Sequence, residues 1–275
     1  MTKATLVYRD KRFSLHSEAK DALILETVGR NLQARGFDVS YVRETDLRPD
    51  DETDLYLTMA RGSESLRVLQ SKERVGRLVL NSTGGVALAT NRRLLDDLER
   101  RCGLPVAPLC YCEGRPASDG AGFWLKRGDG ARLSSLDVQY VRTWDEVADA
   151  LQPFHSRGIG DVLVTGHVPG DVVKFYGVRG TGFFRCYYPA DDGDTRFGTE
   201  RLDGPPHHYR FSRQQLHTAA EQLSAAADVA IYGGDCIVRD DGSFALIDFN
   251  DWPSFARCRE EAAAAICRLV ENNMT

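Results

Sequence analysis

The 275-residue chain is 42% hydrophobic and 27% charged, with a formal net charge of −5. That profile fits a soluble globular protein with room for one large core or two to three lobes, and the negative balance argues against a general nucleic-acid binder. No apolar run approaches the length of a membrane span, the opening MTKATLVYRDKRF holds no signal-peptide core, and seven cysteines, an odd number, suit a reducing cytoplasm better than a disulfide framework.

Residues 4–8 are a short apolar run, read as a buried strand. A polar loop follows, and Ser17 is placed to cap a helix over about 18–35 that ends at Gly36. A second strand at 37–42 completes a strand–helix–strand unit of the parallel α/β kind. Strands at 55–59 and 77–81, with a helix over 63–74 between them, extend this into a small open α/β lobe. Ligands of such sheets bind outside the carboxyl ends of the strands. The loop at that edge carries Arg9, Arg12 and His16, candidate contacts for an anionic substrate; a solvated basic loop is the competing reading.

Residues 82–102 begin Ser-Thr-Gly-Gly and run into the helix NRRLLDDLERRCG, a connector between lobes. Residues 122–127 form a strand ending in Lys126 and Arg127, before a Gly/Ser-rich loop over 128–135. A strand at 137–141 and a helix over 144–151 follow, the helix with Thr143 and Glu146 spaced as a capping box. A lysine ending a strand beside a glycine-rich loop suits polyphosphate, because the loop offers backbone N–H groups and the lysine a point charge. It is not a P-loop, since the lysine precedes the glycines, and a plain surface turn competes with the phosphate reading.

Strands at 161–165, 171–178 and 183–188 alternate with the turns Pro169-Gly170 and Arg179-Gly180-Thr181-Gly182. Lys174 and Arg185 fall inside these runs, where an inward cation requires a protein acid or a ligand phosphate. Residues 189–212 are a long polar loop of the kind used as a lid or binding loop, and a helix over 213–228 leads out of it.

Residues 231–255, IYGGDCIVRDDGSFALIDFNDWPSF, read as a hairpin. Gly233-Gly234 lead into a strand at 235–238, Asp240-Asp241-Gly242 make the turn, and a strand at 244–247 ends in Asp248-Phe249-Asn250. Antiparallel pairing sets Asp235 opposite Asp248 or Asn250. Alternation puts Asp248 and Asn250 on one face, so three oxygen-bearing side chains converge. Such a set suits Mg²⁺, which takes one or two carboxylates plus substrate phosphates; an ordinary hairpin with acids at its end is the alternative. A final helix is expected over 254–272, with Phe255, Ala262, Ala265, Ile266 and Leu269 on its apolar face.

The order of Arg92 in ATNRRLL, Lys126 in WLKRGDG, the segment LVTGHVPGDVVKFYGV and GGDCIV…LIDFNDWPSF resembles the ATP-grasp superfamily over most of residues 85–260. Within it the chain is similar to the RimK/glutathione-synthetase-like ligases and to the inositol-tetrakisphosphate kinase branch, whose metal motif ends in Asp-x-Asn followed by a proline and a small residue, as in Asp248 to Ser254. The resemblance implies an α/β ATP-grasp fold with an open parallel α/β lobe at 1–85, a central subdomain with the glycine-rich loop at 86–164, and a C-terminal subdomain with the metal site at 165–275. It implies ATP and two Mg²⁺ ions, with Mn²⁺ able to substitute.

Carried over by position, Arg92 and Lys126 contact ATP phosphates under a loop containing Gly128 and Gly130. Val164, Thr165, His167 and Val168 belong to a hinge that holds adenine through backbone groups. Asp235, Asp248 and Asn250 bind the metal ions. Lys174 faces the acceptor or the phosphate, Arg179 and Ser254 join Arg9, Arg12 and His16 as substrate contacts, and Arg185 stabilises an oxyanion. Thr165-Gly166-His167 departs from the pattern, standing where a glutamate is often found. The basic and His-bearing substrate segment of the inositol kinases is not evident after Gly130. A carboxylate–amine ligase working through an acyl phosphate is favoured, because ligases dominate the superfamily. A kinase acting on a polyol phosphate is kept open by Asp248, where many ligases have Glu, and a nucleotide-binding module without chemistry is disfavoured by the retained Asp, Asp and Asn. The expected partner is a small molecule, neither nucleic acid nor membrane, and no feature of the pattern sets an oligomeric state.

Overall fold

The computed structural model describes residues 1–14, 17–110, 121–192 and 204–274. The first of three sheets is parallel, with β1 (Lys3–Tyr8), β2 (Asp38–Arg43), β3 (Leu55–Thr58) and β4 (Leu78–Leu80) in the order β2-β1-β3-β4. Every residue of β3 is buried, as in a central strand covered on both faces. The crossovers are α1 (Glu18–Gln33) and α2 (Ser63–Arg74). Ser17 makes no side-chain cap on α1. The exit from α1 is as expected: Gly36 has φ +84°, open to glycine at no steric cost.

The connector is two helices rather than one, α3 (Thr83–Thr90) and α4 (Arg92–Arg101). Asn91 divides them: its backbone is extended, at φ −100° and ψ 101°, and its side chain accepts a hydrogen bond from the Leu94 N–H to cap α4.

The second sheet is antiparallel, with β5 (Phe123–Arg127), β6 (Val138–Val141) and β7 (Val162–Gly166) in the order β6-β5-β7, backed by α5 (Val147–His155). The capping box expected at Thr143 and Glu146 is absent: Thr143 makes no side-chain cap, and Glu146 accepts from the Arg142 N–H instead. A capping box does form at Ser134 and Asp137, where it closes the glycine-rich loop.

The third sheet is antiparallel, with β8 (Asp171–Val178), β9 (Phe183–Tyr187), β10 (Ile231–Val238) and β11 (Phe244–Asp251) in the order β11-β10-β8-β9. Gly233 and Gly234 lie inside β10, not ahead of it. The reason is close approach: a Cβ on Gly234 would come within 2.3 Å of the Asp248 carbonyl oxygen and 2.4 Å of the Phe175 ring. The third sheet is flanked by α6 (Arg213–Ala227) and α7 (Arg259–Met274). The last helix starts later than residue 254 because Trp252 and Phe255 take left-handed φ values of 39° and 47°, which a helix cannot contain.

Sheets one and three share a core. Leu6, Ile24 and Val28 cluster with Tyr176, Ile231 and Ile266, so the two sheets form one body around α7. The opposite face of sheet three packs Leu95, Leu223 and Phe249. Sheet two has a separate core that includes Phe123, Leu125, Val141, Phe154 and Val164. Among the described residues, no helix is long and apolar enough to cross a membrane.

Candidate active site

Sheet three supplies the floor of the site. Alternation along β8 sends Val173 and Phe175 into the core and leaves Val172 and Lys174 on the other face. In register, Asp235 on β10 pairs with Lys174 on one side and with Asp248 on the other. The Lys174 ammonium donates to both Asp235 carboxylate oxygens, at 2.7 and 3.0 Å. Burial would lower the Lys174 pKa, but Asp235 outweighs it and holds the ammonium above its ordinary value. Asn250 donates through Nδ2 to Asp248 Oδ2 at 2.8 Å. Burial alone would raise the Asp248 carboxyl; the Arg92 and Lys126 charges outweigh it and bring the pKa below the usual value. Two facing carboxylates and one amide oxygen match the needs of Mg²⁺, which completes its shell with phosphates and water. A cation, the Lys174 ammonium, already sits against Asp235. No group of three His, Cys, Asp or Glu able to hold a metal occurs among the described residues, so the donor set depends on Asn250 and on ligand oxygens.

Sheet two supplies the roof. Lys126, on β5, reaches across and donates to the Ile247 carbonyl at 2.9 Å. Burial pushes its pKa down, with Asp248 opposing. Arg92, the first residue of α4, points one N–H at the Arg127 carbonyl at 3.4 Å. Glu99, two turns along the same helix, is 7% exposed, and burial, followed by Asp96, pushes its carboxyl up to about 8.

Between roof and floor lies a cavity of 290 Å³. Arg92, Lys126, Arg132, Lys174, Asp235 and Asp248 give it a charged end; Trp124, Val168, Val172, Ile237 and Ile247 give it an apolar end. The strands of both sheets run in agreement. On the roof, Trp124 pairs with Thr165 beside the 166–170 hinge, and Lys126 lies two residues, roughly 6.6 Å, further along. On the floor, the Val172–Ile237 pair is nearer the hinge and the Lys174–Asp235 pair further from it. An apolar pocket graded into an end of mixed cations and carboxylates suits a nucleotide lying base-first toward the hinge.

The hinge departs from the simple expectation. The Gly166 N–H donates to the Pro108 carbonyl at 2.8 Å and the His167 N–H to the Gly122 carbonyl at 2.9 Å, so neither peptide donor is open to a base. The Trp124 indole N–H donates to His167 Nδ1 at 3.0 Å, which makes Nδ1 an acceptor and places the imidazole proton on Nε2.

Of the residues singled out in the sequence, Arg92, Lys126, Thr165, His167, Val168, Lys174, Asp235 and Asp248 line this one cavity, and Asn250 adjoins it through Asp248. Others are used elsewhere. Val164 faces the core of sheet two. Gly128 has no open N–H: it donates to the Asp161 carbonyl and its own carbonyl accepts from Arg93, while a Cβ would meet the Asp161 carboxyl at 2.8 Å. Gly130 stands in more open space. Arg9 is buried and bonded to Asp21, Asp251 and the carbonyls of Met59 and Trp252, away from the cavity lining. Arg12 is exposed and pairs with Asp10 at 3.3 Å. Arg179 donates to the Ser224 carbonyl at 2.7 Å and pairs with Asp228, at the far end of β8 from the cavity. Arg185 is exposed, pairs with Glu261 and does not line the cavity. Ser254 sits in the loop between two left-handed residues, outside the cavity lining. His16 lies outside the described residues.

Three further residues at the site carry no role in the sequence reading. Trp124 stands two before Lys126 on the same strand and so shares its face. Glu99 stands seven after Arg92 on the same helix and so shares its stripe. Arg132 carries no periodic signal beyond its place in the glycine-rich loop.

No family model and no curated protein matches the sequence. Solved structures do. The chain is similar to D-alanyl-alanine synthetase A from Vibrio cholerae, with 14% identity, 98% of each chain covered and a TM-score of 0.68. It is similar to a RimK-domain ATP-grasp protein from Sphaerobacter thermophilus, with 17% identity, 97% of this chain and 98% of that one covered and a TM-score of 0.66. It is also similar to the D-alanine–D-alanine ligase of Bacillus anthracis complexed with ATP, with 10% identity, 98% and 97% covered and a TM-score of 0.65. These likenesses show that the chain has the ATP-grasp fold from end to end.

Proposed function

We propose that this chain is an ATP- and Mg²⁺-dependent ligase that activates a carboxylate as an acyl phosphate and joins it to an amine, acting on a small anionic substrate. The observation that carries the reading is the single graded cavity: an apolar end at the hinge, and an end where Arg92, Lys126 and Lys174 meet Asp235 and Asp248. The fold adds support, since two of the similar structures are D-alanine–D-alanine ligases or synthetases and one was solved with ATP.

The chemistry follows from the charges. Asp235, Asp248 and Asn250 would hold Mg²⁺, which would supply positive charge to offset that of the phosphates. Lys126, fixed to the Ile247 carbonyl, and Arg92, at the start of α4, hold the phosphates in line. A carboxylate oxygen of the substrate attacks the terminal phosphorus and ADP leaves. The amine then attacks the acyl carbon and inorganic phosphate leaves. Lys174, the floor cation beside Asp235, would face the reacting groups, and positioning with electrostatic stabilisation would do the work.

A kinase reading is favoured by one observation: Asp248 rather than Glu at the strand end. The two readings separate in a screen of ADP release. Activity that requires an acid and an amine together supports the ligase. Release with a polyol phosphate alone overturns it in favour of the kinase, and binding of ATP without any turnover across both arms favours a module without chemistry.

A further inference from the structure

We propose that a cavity of 240 Å³ at one edge of sheet one is a second binding site, for a small zwitterionic amino acid. Nucleotide binding plays no part in it, so the two readings stand or fall separately.

Asp51 and Thr53 line the cavity from the loop before β3, Tyr56 from β3 itself, Lys72 and Val75 from the end of α2, and Arg77 from the approach to β4. These are the amino ends of the parallel strands. The carboxyl ends lie at the opposite edge, where Arg61, just past β3, meets Asp251 of sheet three. The cavity therefore sits away from the roof and floor, on an edge that open parallel sheets do not ordinarily use for ligands. Its loop is held firmly. The Lys72 ammonium donates to the Pro49 carbonyl at 2.7 Å, the Tyr56 hydroxyl to the Asp51 carbonyl at 2.6 Å, and the Lys3 N–H to Asp54 Oδ2 at 2.9 Å.

Of the charged side chains in the lining, Arg77 and Glu52 account for each other: Arg77 pairs with Glu52 at 3.6 Å and with Asp54 at 3.2 Å. Lys72 and Asp51 do not. Lys72 is 7% exposed, yet the Pro49 carbonyl takes only one of its ammonium N–H groups and, among the described residues, no carboxylate pairs with it. Asp51 is half-buried, accepts from the Arg48 N–H at 2.7 Å and pairs with no cation among the described residues. Thr53 is 5% exposed, and its buried Oγ1 has no hydrogen-bond partner among them. A buried ammonium and a buried hydroxyl left in this state cost stability. The carbonyls at the end of α2 offset only part of the Lys72 charge. A zwitterion meets all three groups: its carboxylate takes the remaining Lys72 N–H groups and the Thr53 hydroxyl, and its ammonium donates to Asp51. A polyphosphate would instead meet Asp51 and Glu52 as like charges. Val75 and Tyr56 give a short apolar side chain a wall.

The test is calorimetric titration of the full chain, without nucleotide, with two zwitterions of short and long charge separation, L-valine and γ-aminobutyrate. Each is compared with analogues lacking one charge: isovalerate and isobutylamine for valine, butyrate and propylamine for γ-aminobutyrate. At least one zwitterion should bind, and its two analogues should bind at least about tenfold more weakly. Lys72→Met should weaken that binding by about 10- to 100-fold, and Asp51→Asn and Thr53→Val by about three- to tenfold. Without ligand, the urea midpoint of Lys72→Met should equal or exceed that of the wild type, because a buried unpaired charge is gone. A lower midpoint with binding unchanged would make Lys72 a structural residue and overturn the proposal. If Lys72→Met does not fold, Asp51→Asn and Thr53→Val decide the outcome. Binding of neither zwitterion, or equal binding of the carboxylate analogue, also overturns it. So does binding that all three variants leave unchanged, which places the amino acid in another cavity.

Discussion

The body formed by sheets one and three and the lobe built on sheet two are held by different means. Inside the body the joint is apolar and buried. Side chains from α1, β8 and α7 share one cluster, Asn81 exchanges two hydrogen bonds of 2.8 Å with the backbone of Ile231, and Arg9 and Arg61 converge on Asp251, which is 1% exposed. The lobe keeps its own core and meets the body through polar contacts: Arg93 with Asp161, the Gly128 backbone with Arg93, Lys126 with the Ile247 carbonyl, and an isolated bridge from Val106 to Leu246 near the connector. The body cannot be parted without exposing a large apolar cluster, whereas parting the lobe from it breaks these polar contacts and a small apolar cluster in which Ala107 and Val168 meet Ile237 and Ala245. Asp235 and Asp248 ride on the body, and Lys126 and the glycine-rich loop ride on the lobe. On the function proposed above, nucleotide binding between them would work as a clamp, with the lobe bringing its cations to the carboxylates of the body.

The largest effect tests the body. Asp251→Ala leaves Arg9 and Arg61 buried without their shared carboxylate, and urea unfolding should show a loss of about 3–5 kcal/mol. A loss under about 1 kcal/mol would show that the joint does not depend on this cluster. Asp248→Ala, on the same strand but facing the cavity, should reverse the pattern: ADP release falls by about 10²–10³-fold, while the urea midpoint moves far less than for Asp251→Ala. Unfolding of the Asp248 variant would instead mark it as a structural residue.

Glu99 sits at the seam, on a helix of the body facing the lobe's Lys126, and it gives the comparison a pH dependence. Its folded pKa is raised from 4.5 to about 8. Below pH 4.5 the carboxyl is neutral in both states and costs nothing. As pH rises toward 8 the unfolded chain releases the proton and the folded chain keeps it, so stability falls by at most about 1.4 kcal/mol per pH unit. Glu99→Gln, which mimics the neutral acid, should match the wild type near pH 4.5 and exceed it by about 1–3 kcal/mol at pH 7 in urea unfolding. A constant gap at both pH values would show that ionisation is not the source of the cost.

Local rules make the hairpin legible in the sequence. The Asp240-Asp241-Gly242 turn sets the register from Val238 with Phe244 to Cys236 with Leu246, but turn and alternation leave Asp248 and Asn250 both open as partners of Asp235; a bulge between Cys236 and Asp235, which neither rule predicts, selects Asp248. The same rules reach Trp124 and Glu99, two and seven residues from predicted cations. What escapes them depends on distant partners. Arg9 reads as a free loop cation because Asp251 is 242 residues away in sequence. Arg185 reads as inward because Glu261, its partner on α7, is far along the chain. Gly128 reads as a phosphate-loop glycine, although it is small because Asp161 of the β7 approach presses on it. Gly233 and Gly234 read as a lead-in ahead of the strand for the same kind of reason, since the Phe175 ring that excludes a side chain at Gly234 and the Tyr176 ring that does so at Gly233 belong to another strand.

The smallest effect on stability should be the most informative about motion. Arg93 and Asp161 are each about a third exposed, at 32% and 36%, so Arg93→Ala should cost less than about 1 kcal/mol in urea. Yet it cuts a tether between lobe and body. Amide hydrogen exchange should quicken in β5 and β7 of the variant and stay unchanged in β1 and β3, which belong to the buried joint. Adding ATP with Mg²⁺ should slow β5 and β7 again, because the ligand spans both parts and stabilises the closed form by about 2.7 kcal/mol at a hundred times its Kd. Equal acceleration in β1 and β3 would mean that lobe and body open together, and the clamp would then have no separate moving part.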